Sequence, residues 1–300
     1  MQELLEVQAH FDLPSPVLVE KDYFVTKALA AITSADTKPF RLVLSGGTSL
    51  CRAYKLIHRM SEDIDLKIVG IDEPRRPELR HLRNLITQAL LDAGFVFDPT
   101  NKLHRESFNE SRYTLFRLPY THILQGDGVL RPEIKMEVSL WPLHYPSVAL
   151  SLSSFVADAF GRNAEVVSID CVSVTQTAAE KFVALTRRAA MEISNENTVR
   201  DLSLIRHIYD LHIIRSHYKM EEVAKVARII MKQDAKIFGN QSSSYRNNPQ
   251  SETRMAISAI ETDPHYSKSF DVFQRYMVYG ESIDYAVCLT TLKELSTYII

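Results

Sequence analysis

The chain contains little cysteine, and its three cysteines lie far apart in the sequence. Cys51, Cys171 and Cys288 are odd in number and show no paired spacing among 300 residues. They therefore indicate neither a disulfide framework nor a zinc-ligand cluster. Such sparse cysteine is typical of a protein in a reducing compartment, so we expect a cytoplasmic protein.

The sequence also lacks a long apolar run and an excess of charge of one sign. No apolar run approaches the roughly 20 residues that a membrane-spanning helix needs. Residues 1–6 are acidic, which is unlike the start of a secretory signal. The formal net charge is −2 at pH 7. These features argue against a membrane protein and against a protein that coats nucleic acid by bulk charge.

Basic residues are nevertheless concentrated around one predicted helix, at residues 77–93. Two interpretations stay open for them: a strip that faces RNA, or a solvated helix face. The residues concerned are Arg75, Arg76, Arg80, Arg83, Lys102 and Arg105.

Hydrophobic periodicity divides the chain into two parts. Before residue 165, predicted strands at 40–45, 64–69, 113–118 and 134–141 are interspersed with helices at 17–33, 48–58 and 77–93. From residue 175 onward the predicted segments are all helical. The pattern predicts an α+β fold, with a mixed sheet and flanking helices in residues 1–165 and a helical domain in residues 166–300.

Two polar segments interrupt this pattern. Residues 125–128 are predicted to form a turn, and residues 240–252, rich in Ser and Asn, a mobile loop. Trp141 and the tyrosines are predicted to be core residues. The exception is Tyr245 in the polar loop, which stays undecided between a core residue and a surface for base stacking.

The motif Asp63-Ile64-Asp65 is the first candidate for chemistry. Side chains at i and i+2 of a strand point to the same face, so the two carboxylates project together. Their repulsion is relieved by a divalent cation, and oxygen ligands without nearby His or Cys favour Mg²⁺ or Mn²⁺ over zinc. A solvated aspartate pair at a strand edge gives the same motif, so the pair alone does not establish a metal site.

A glycine-containing turn precedes this pair. In Gly46-Gly47-Thr48-Ser49, the glycines let the backbone approach a phosphate closely, and the hydroxyls of Thr48 and Ser49 add donors. The alternative is an ordinary helix N-cap formed by Thr48 or Ser49. The spacing matches neither a Walker P-loop nor the dinucleotide-binding G-x-G-x-x-G motif.

A third acid lies on the predicted strand 134–141. The period of two places Lys135, Glu137 and Ser139 on one face, and apolar residues on the other. A polar face of this kind lines a cleft or faces solvent, and the pattern alone does not distinguish the two.

In this order the motifs resemble the AbiEii/AbiGii toxin family of nucleotidyltransferases, including its MenT-like members, within the DNA polymerase beta superfamily. The resemblance depends on the glycine turn, on Ser61-Glu62-Asp63-Ile64-Asp65-Leu66, and on Ile134-Lys135-Met136-Glu137. Less specific matches extend it over residues 20–211. They are Glu20-Lys21-Asp22-Tyr23, Glu180-Lys181 and Arg206-His207-Ile208-Tyr209-Asp210-Leu211.

The resemblance implies a nucleotidyltransferase fold, followed by a helical domain that closes the nucleotide and RNA cleft. It implies metal ligands and catalytic residues at Asp63, Asp65 and Glu137, with further catalytic roles for Lys181 and Asp210. The nucleotide-binding residues that it implies are Gly46, Gly47, Thr48, Ser49, Lys135 and Lys181. Two positions depart from the family pattern, since many relatives have Asp in place of Glu137 and some have Asp in place of His207.

The implied activity is metal-dependent transfer of a nucleotide from an NTP to an RNA acceptor such as the tRNA 3′ end. The implied biology is the toxin of a type IV toxin–antitoxin system, with an antitoxin as its partner and a link to phage defence. Two alternatives stay open. One is a catalytically silent module that binds nucleotide or RNA, and the other is transfer to a protein or small-molecule hydroxyl.

Overall fold

The computed structural model describes residues 1–124, 130–194 and 200–300. The turn predicted at residues 125–128 lies outside these ranges. Within them, no helix is both long and apolar enough to cross a membrane.

The described residues form two compact units. The first comprises Met1–Val172 together with the short segment Val278–Gly280. The second comprises Ser173–Met277 and Glu281–Ile300. The chain therefore passes from the first unit to the second at Val172, a few residues after the predicted boundary at 165.

The first unit is built on a mixed sheet with seven described strands. They are β1 (Arg41–Ser45), β2 (Asp63–Val69), β3 (Arg105–Phe108), β4 (Tyr113–Pro119), β5 (Glu133–Leu140), β6 (Val148–Leu152) and β7 (Val166–Cys171). Their order in the sheet is β3-β4-β5-β2-β1-β7-β6. The pairs β2–β5 and β1–β7 are parallel, and the other neighbours are antiparallel. The predicted mixed sheet is confirmed.

The helices of this unit leave one face of the central strands polar. Those described are α1 (Gln2–Phe11), α2 (Pro16–Thr33), α3 (Gly46–Thr48), α4 (Arg76–Asp92) and α5 (Phe155–Ala159). Leu29 of α2 and Leu82 of α4 lie in one core cluster with Ile64 and Met136, on the apolar face of β2 and β5. The predicted division of strand 134–141 into a polar and an apolar face is therefore confirmed.

The second unit is helical in its described part, as expected. Its helices are α6 (Val174–Ser194), α7 (Ile205–Ile213), α8 (Met220–Ile237), α9 (Ser243–Asn247), α10 (Pro249–Thr262), α11 (Pro264–Met277) and α12 (Tyr285–Ile299). Helix α6 packs against α8 and α10, and α7 packs against α12.

Two local predictions are wrong. The helix predicted at 48–58 begins at Gly46, and after α3 it continues only as the π-helical turn Ser49–Ala53. Lys55 then has φ 55°, which no right-handed helix accommodates. The predicted mobile loop at 240–252 contains α9 and the start of α10, each with a serine or asparagine side chain capping its N-terminus.

The structure decides the environment of Tyr245 and corrects that of Trp141; Tyr23, Tyr276 and Tyr298, expected in the core, are also exposed. Tyr245 is buried in the second unit, where burial raises the pKa of its phenol well above the usual value. It is a core residue, so the undecided prediction is resolved against a stacking surface. Trp141, in contrast, was expected in the core but is partly exposed. It follows the last residue of β5, where the sheet ends.

Three consecutive charged residues of α2 fasten the first unit together. Glu20, Lys21 and Asp22 are all buried. Lys21 Nζ donates to the backbone oxygens of Arg131 and Glu133, at 2.8 and 2.5 Å, which fixes the entry to β5. Glu20 accepts from a backbone N–H just after β4. Burying three charges is tolerated because each has polar partners.

Asp22 binds the segment that follows the glycine turn. Its carboxylate pairs with Arg52 Nε at 3.0 Å and accepts from the Phe155 N–H at 2.6 Å. Burial, opposed in part by the Arg52 charge, raises the pKa of Asp22 from 3.8 to about 6. The folded protein therefore holds this proton at pH values where the unfolded chain has released it. The Asp22 contribution to stability consequently falls as pH rises from about 4 to about 6.

Replacing Asp22 by Asn should remove this pH dependence, since an amide does not ionise. The free energy of unfolding of the wild type, minus that of D22N, should fall by up to roughly 3 kcal/mol between pH 4 and pH 7. Urea unfolding at a series of pH values measures this difference. D22N also loses the ion pair with Arg52, which changes the size of the free-energy difference. The test is therefore how this difference varies with pH. The exposed Asp36→Asn is the control, and a difference for D22N that is constant with pH would contradict the assignment.

Candidate active site

The three predicted acids lie on one face of the sheet at neighbouring positions. Asp65 in β2 is the register partner of Glu137 in the parallel strand β5, and of Ser45 in the antiparallel strand β1. Asp63 precedes Asp65 by two residues, so both side chains leave the strand on the same face. Because neighbouring strands are about 4.8 Å apart, Asp65 and Glu137 are close neighbours.

Asp63 and Glu137 each have a basic partner. Arg131 donates to Asp63 Oδ1, and Lys135 Nζ pairs with Glu137 Oε1. These contacts offset the like charges that share the face. Within the described ranges, no three or more His, Cys, Asp or Glu side chains are arranged so that they could hold a metal ion. The acids are therefore adjacent in register, but their side chains do not converge on one point.

Tyr113 is a member of this site that the sequence analysis missed. Its hydroxyl, at the start of β4, hydrogen-bonds to Glu137. Burial and the nearby carboxylates of Glu137 and Asp65 raise the pKa of Tyr113 well above its usual value. The phenol therefore stays protonated and acts as a donor. A tyrosine at a strand end is typical of a core residue, so the sequence carried no signal for this role.

Gly46 brings the turn into direct proximity with Asp65. It has φ +72°, a conformation that favours glycine. A Cβ on Gly46 would overlap Asp65 Oδ2 and lie 3.3 Å from Asp65 Cγ. Both the backbone conformation and the lack of space require glycine here. The predicted glycine turn therefore lies directly beside the predicted acids.

Gly47 is equally restricted, but by a different neighbour. A Cβ on Gly47 would lie 2.6 Å from both Arg59 Nη2 and Ser61 Oγ. Arg59 is buried, and its guanidinium also donates to the backbone oxygen of Met60. Arg59 could not be predicted from the sequence, because a single arginine between two short motifs has no distinguishing spacing.

The two hydroxyls of the turn face the protein interior. Thr48 is buried, and its hydroxyl bonds to the backbone oxygen of Asp63 and to Ser61 Oγ. Ser49 is fully buried, close to the thiol of Cys171. Thr48 thus ties the turn to the start of β2. The contacts of these hydroxyls with a triphosphate stay predictions.

A buried ion pair supports the start of β2. Glu62, which precedes Asp63, lies 3.7 Å from Lys21 Nζ and accepts from the Arg131 N–H at 3.0 Å. Burial lowers the pKa of Lys21, and the charge of Glu62 opposes this shift. Lys21 and Glu62 therefore hold the segment around Arg131 in register with Asp63. The motif Glu20-Lys21-Asp22 thus has a structural explanation.

Lys181 and Asp210 come together within the second unit. Lys181 Nζ lies 2.6 Å from Asp210 Oδ2, and both side chains are buried. The pair joins α6 to α7. A buried charge that loses its partner is strongly destabilising, so these residues depend on each other. Their predicted roles in catalysis and nucleotide binding stay predictions.

The predicted basic strip is only partly assembled. Burial, together with the charges of Arg105, Arg80 and Arg76, lowers the pKa of Arg83. Arg75 instead pairs with Glu78 at the start of α4. Helix α4 packs on the apolar face of the sheet, so this cluster lies on the side opposite the acids.

Comparison with known proteins assigns the chain to the nucleotidyltransferases. Residues 27–290 match the family model described as "Nucleotidyl transferase AbiEii toxin, Type IV TA system". The chain belongs to that family, which confirms the resemblance found in the sequence. Membership implies an NTP substrate and an antitoxin partner. No curated protein matches the chain.

A solved structure supports the same fold. MenT4, a nucleotidyltransferase toxin from Mycobacterium tuberculosis, is similar with a TM-score of 0.59 and 16% sequence identity. The match covers 99% of this chain and 89% of the MenT4 chain. At this identity the likeness shows the fold, an α+β sheet with a C-terminal helical region, and the predicted fold class is confirmed.

Replacing Gly46 by Ala should abolish nucleotidyl transfer, because the new Cβ displaces the Asp65 carboxylate. We expect a loss of activity of about 100-fold or more. The cost in stability should be only about 1–2 kcal/mol for a positive-φ residue that loses glycine. Activity is measured by transfer of labelled nucleotide, and stability by urea unfolding.

Gly161→Ala is a matched control for the backbone effect. Gly161 also has a positive φ, +59°, but no atom lies within 4 Å of the position that its Cβ would take. This variant should lose similar stability and keep its activity. Equal activity losses in G46A and G161A would show that strain, and not contact with Asp65, explains the requirement for glycine.

Proposed function

We propose that this chain transfers a nucleotide from an NTP to the 3′-hydroxyl of an RNA acceptor such as tRNA, with a divalent metal ion. One observation carries the proposal: Asp65 is in register with Glu137 and in direct proximity to Gly46. Carboxylates and the glycine turn are thereby combined on one sheet face. The reaction class fits the family to which the chain belongs.

The donor set fits Mg²⁺ or Mn²⁺. Asp63, Asp65 and Glu137 offer only oxygen ligands, and they leave neighbouring strand positions on one face. Asp63 and Glu137 would exchange their present partners, Arg131 and Lys135, for the ion. A bound divalent ion supplies charge neutralisation for the phosphates and lowers the pKa of a coordinated hydroxyl.

The protein groups position the reactants and move one proton. The 3′-hydroxyl oxygen of the acceptor attacks the α-phosphorus, the bond to the bridging oxygen breaks, and pyrophosphate leaves. The hydroxyl proton passes to Glu137, whose carboxylate Tyr113 orients. The backbone at Gly46 and Gly47 approaches the triphosphate, and Lys135 offsets its charge. Positioning and charge neutralisation account for most of the acceleration in phosphoryl-type transfers.

The hydroxyls of Thr48 and Ser49 have a different proposed role. Because both side chains are buried, we assign the phosphate contact to the turn's backbone. Thr48 instead holds the turn against the start of β2 through the hydrogen bond from its hydroxyl to the Asp63 carbonyl oxygen.

Asp65→Asn should reduce transfer by about 100-fold or more, because an amide neither neutralises nor binds a divalent ion as a carboxylate does. Purified protein is incubated with each labelled NTP, Mg²⁺ and total tRNA, and products are resolved on denaturing gels. Asp92→Asn, an exposed substitution at the end of α4, is the control and should keep full activity.

The same assay separates the alternatives. Label in protein or in a small molecule, but not in RNA, would indicate that the acceptor hydroxyl belongs to that molecule. Nucleotide or RNA binding without any transfer would indicate a silent module. Equal labelling of RNA by the wild type and D65N would contradict the assignment of Asp65.

Lys135→Met tests the proposed contact with the nucleotide. Loss of one charge-assisted contact should raise the KM for NTP roughly tenfold, with a smaller effect on kcat. The exposed Lys102→Met is the control. An unchanged KM together with tighter metal binding would show that Lys135 serves only to neutralise Glu137.

A further inference from the structure

A cavity at the ends of β2 and β5 is unexplained by the proposed reaction. It has a volume of about 500 Å³. That volume is within the range of sites for small organic ligands. The lining residues on which the inference depends are Arg41, Gly70, Asp72, Trp141, Pro142 and Leu143.

Trp141 brings an aromatic surface to the face that carries the acids. Lys67 follows Asp65 by two residues on β2, so it shares the acid face. The ring of Trp141 lies against it, with Lys67 Nζ 5.9 Å from the ring centroid. Trp141 lies four positions after Glu137, which is roughly 13 Å along a strand. Trp141 therefore brings one wall of the cavity to the acid face, while Ile68 and Leu140, from the opposite face, also line it.

Positive charge lies beside the cavity. Lys67 lies between the carboxylates and the cavity, and Arg41 lies at the rim, opposite Val69 in the sheet. Arg41 is held by Asp170 at 2.6 Å, while 58% of its side chain stays exposed. Lys67 is buried, so the exposed part of Arg41 is the cation that a polyanion at the cavity would meet. An exposed cation beside an aromatic side chain is a combination found on surfaces that bind single-stranded nucleic acid.

The wall of the cavity includes a position that requires glycine. Gly70 follows β2 with φ +116°, and a Cβ there would lie 2.5 Å from the Pro39 carbonyl oxygen. Only glycine fits this position. The chain therefore turns sharply at the end of β2, at a residue that lines the cavity.

We propose that this cavity binds a nucleobase of single-stranded RNA, stacked on Trp141, a few nucleotides before the acceptor's 3′ end. The inference rests on the proposed RNA acceptor. Trp141 lies roughly 13 Å along the strand from Glu137. This distance exceeds the span from the α-phosphate of an NTP to its own base, so a base of the acceptor strand fits the cavity better. Asp72 at the rim is placed to accept from an exocyclic amino group of the base.

Trp141 is the only tryptophan among the 300 residues, so its fluorescence reports directly on the cavity. Wild-type protein is titrated with short oligoribonucleotides and, separately, with NTPs and Mg²⁺. We expect RNA to quench the emission in a saturable way and NTP to leave it largely unchanged. Abasic ribose placed at successive positions from the 3′ end should abolish quenching at one position.

Trp141→Ala should weaken RNA binding about tenfold, the usual effect of losing one base–aromatic stack. The loss should appear in the KM for RNA and not in the KM for NTP. Trp141→Phe should regain most of the affinity, because it keeps an aromatic face. Anisotropy of labelled RNA measures binding in both variants. Phe160→Ala removes an exposed aromatic residue elsewhere in the first unit and should change neither constant.

The outcomes distinguish this inference from the proposed function. Position-specific quenching without nucleotidyl transfer would support the cavity while overturning the proposed reaction. Quenching by NTP alone would overturn the assignment to the acceptor strand. Equal RNA affinity of the wild type and W141A would overturn the inference, even if transfer to RNA were observed.

Discussion

The central constraint on the first unit is the repulsion among carboxylates that share one sheet face. Asp65 and Glu137 are register partners, and Asp63 projects beside them. Arg131 and Lys135 offset the charge, and Tyr113 donates to Glu137. Such an arrangement costs stability unless cations are close, so its presence indicates a site that works with cations and phosphates.

The buried charges of the first unit serve this arrangement. Lys21 and Glu62 fix the segment that carries Arg131, and Asp22 binds Arg52 just after the glycine turn. Each contact joins α2 to a strand or turn of the site. We infer that α2 has two roles. Its apolar residues cover one face of the sheet, and its charged residues position the segments that carry Arg131, Glu62 and Arg52.

The polar face forms one continuous surface in the proposed function. The acids and the glycine turn occupy one end, Lys67 lies between, and Trp141 lines the cavity at the other end. The proposed catalytic groups and the proposed acceptor-binding cavity thereby lie on the same strands. Strands fix distances precisely, since the spacing along and between them varies little.

The ordered motifs of the sequence indicated the family, and its hydrophobic periodicity indicated the fold class and the strands that carry the three acids. Periodicity does so because strand alternation is a local property, readable from residues two to four apart. It also placed the apolar face of β5 correctly. Strands β3, β6 and β7 were missed, since each is short and lacks a clear alternating pattern.

Only the tertiary structure decided which residues meet. The pairing of Asp65 with Glu137, the approach of Gly46 to Asp65 and the bond from Tyr113 join residues distant in sequence. It also resolved Tyr245 as a core residue and reversed the expectation for Trp141. Burial depends on which residues cover a side chain in three dimensions, and the local sequence does not show which residues those are.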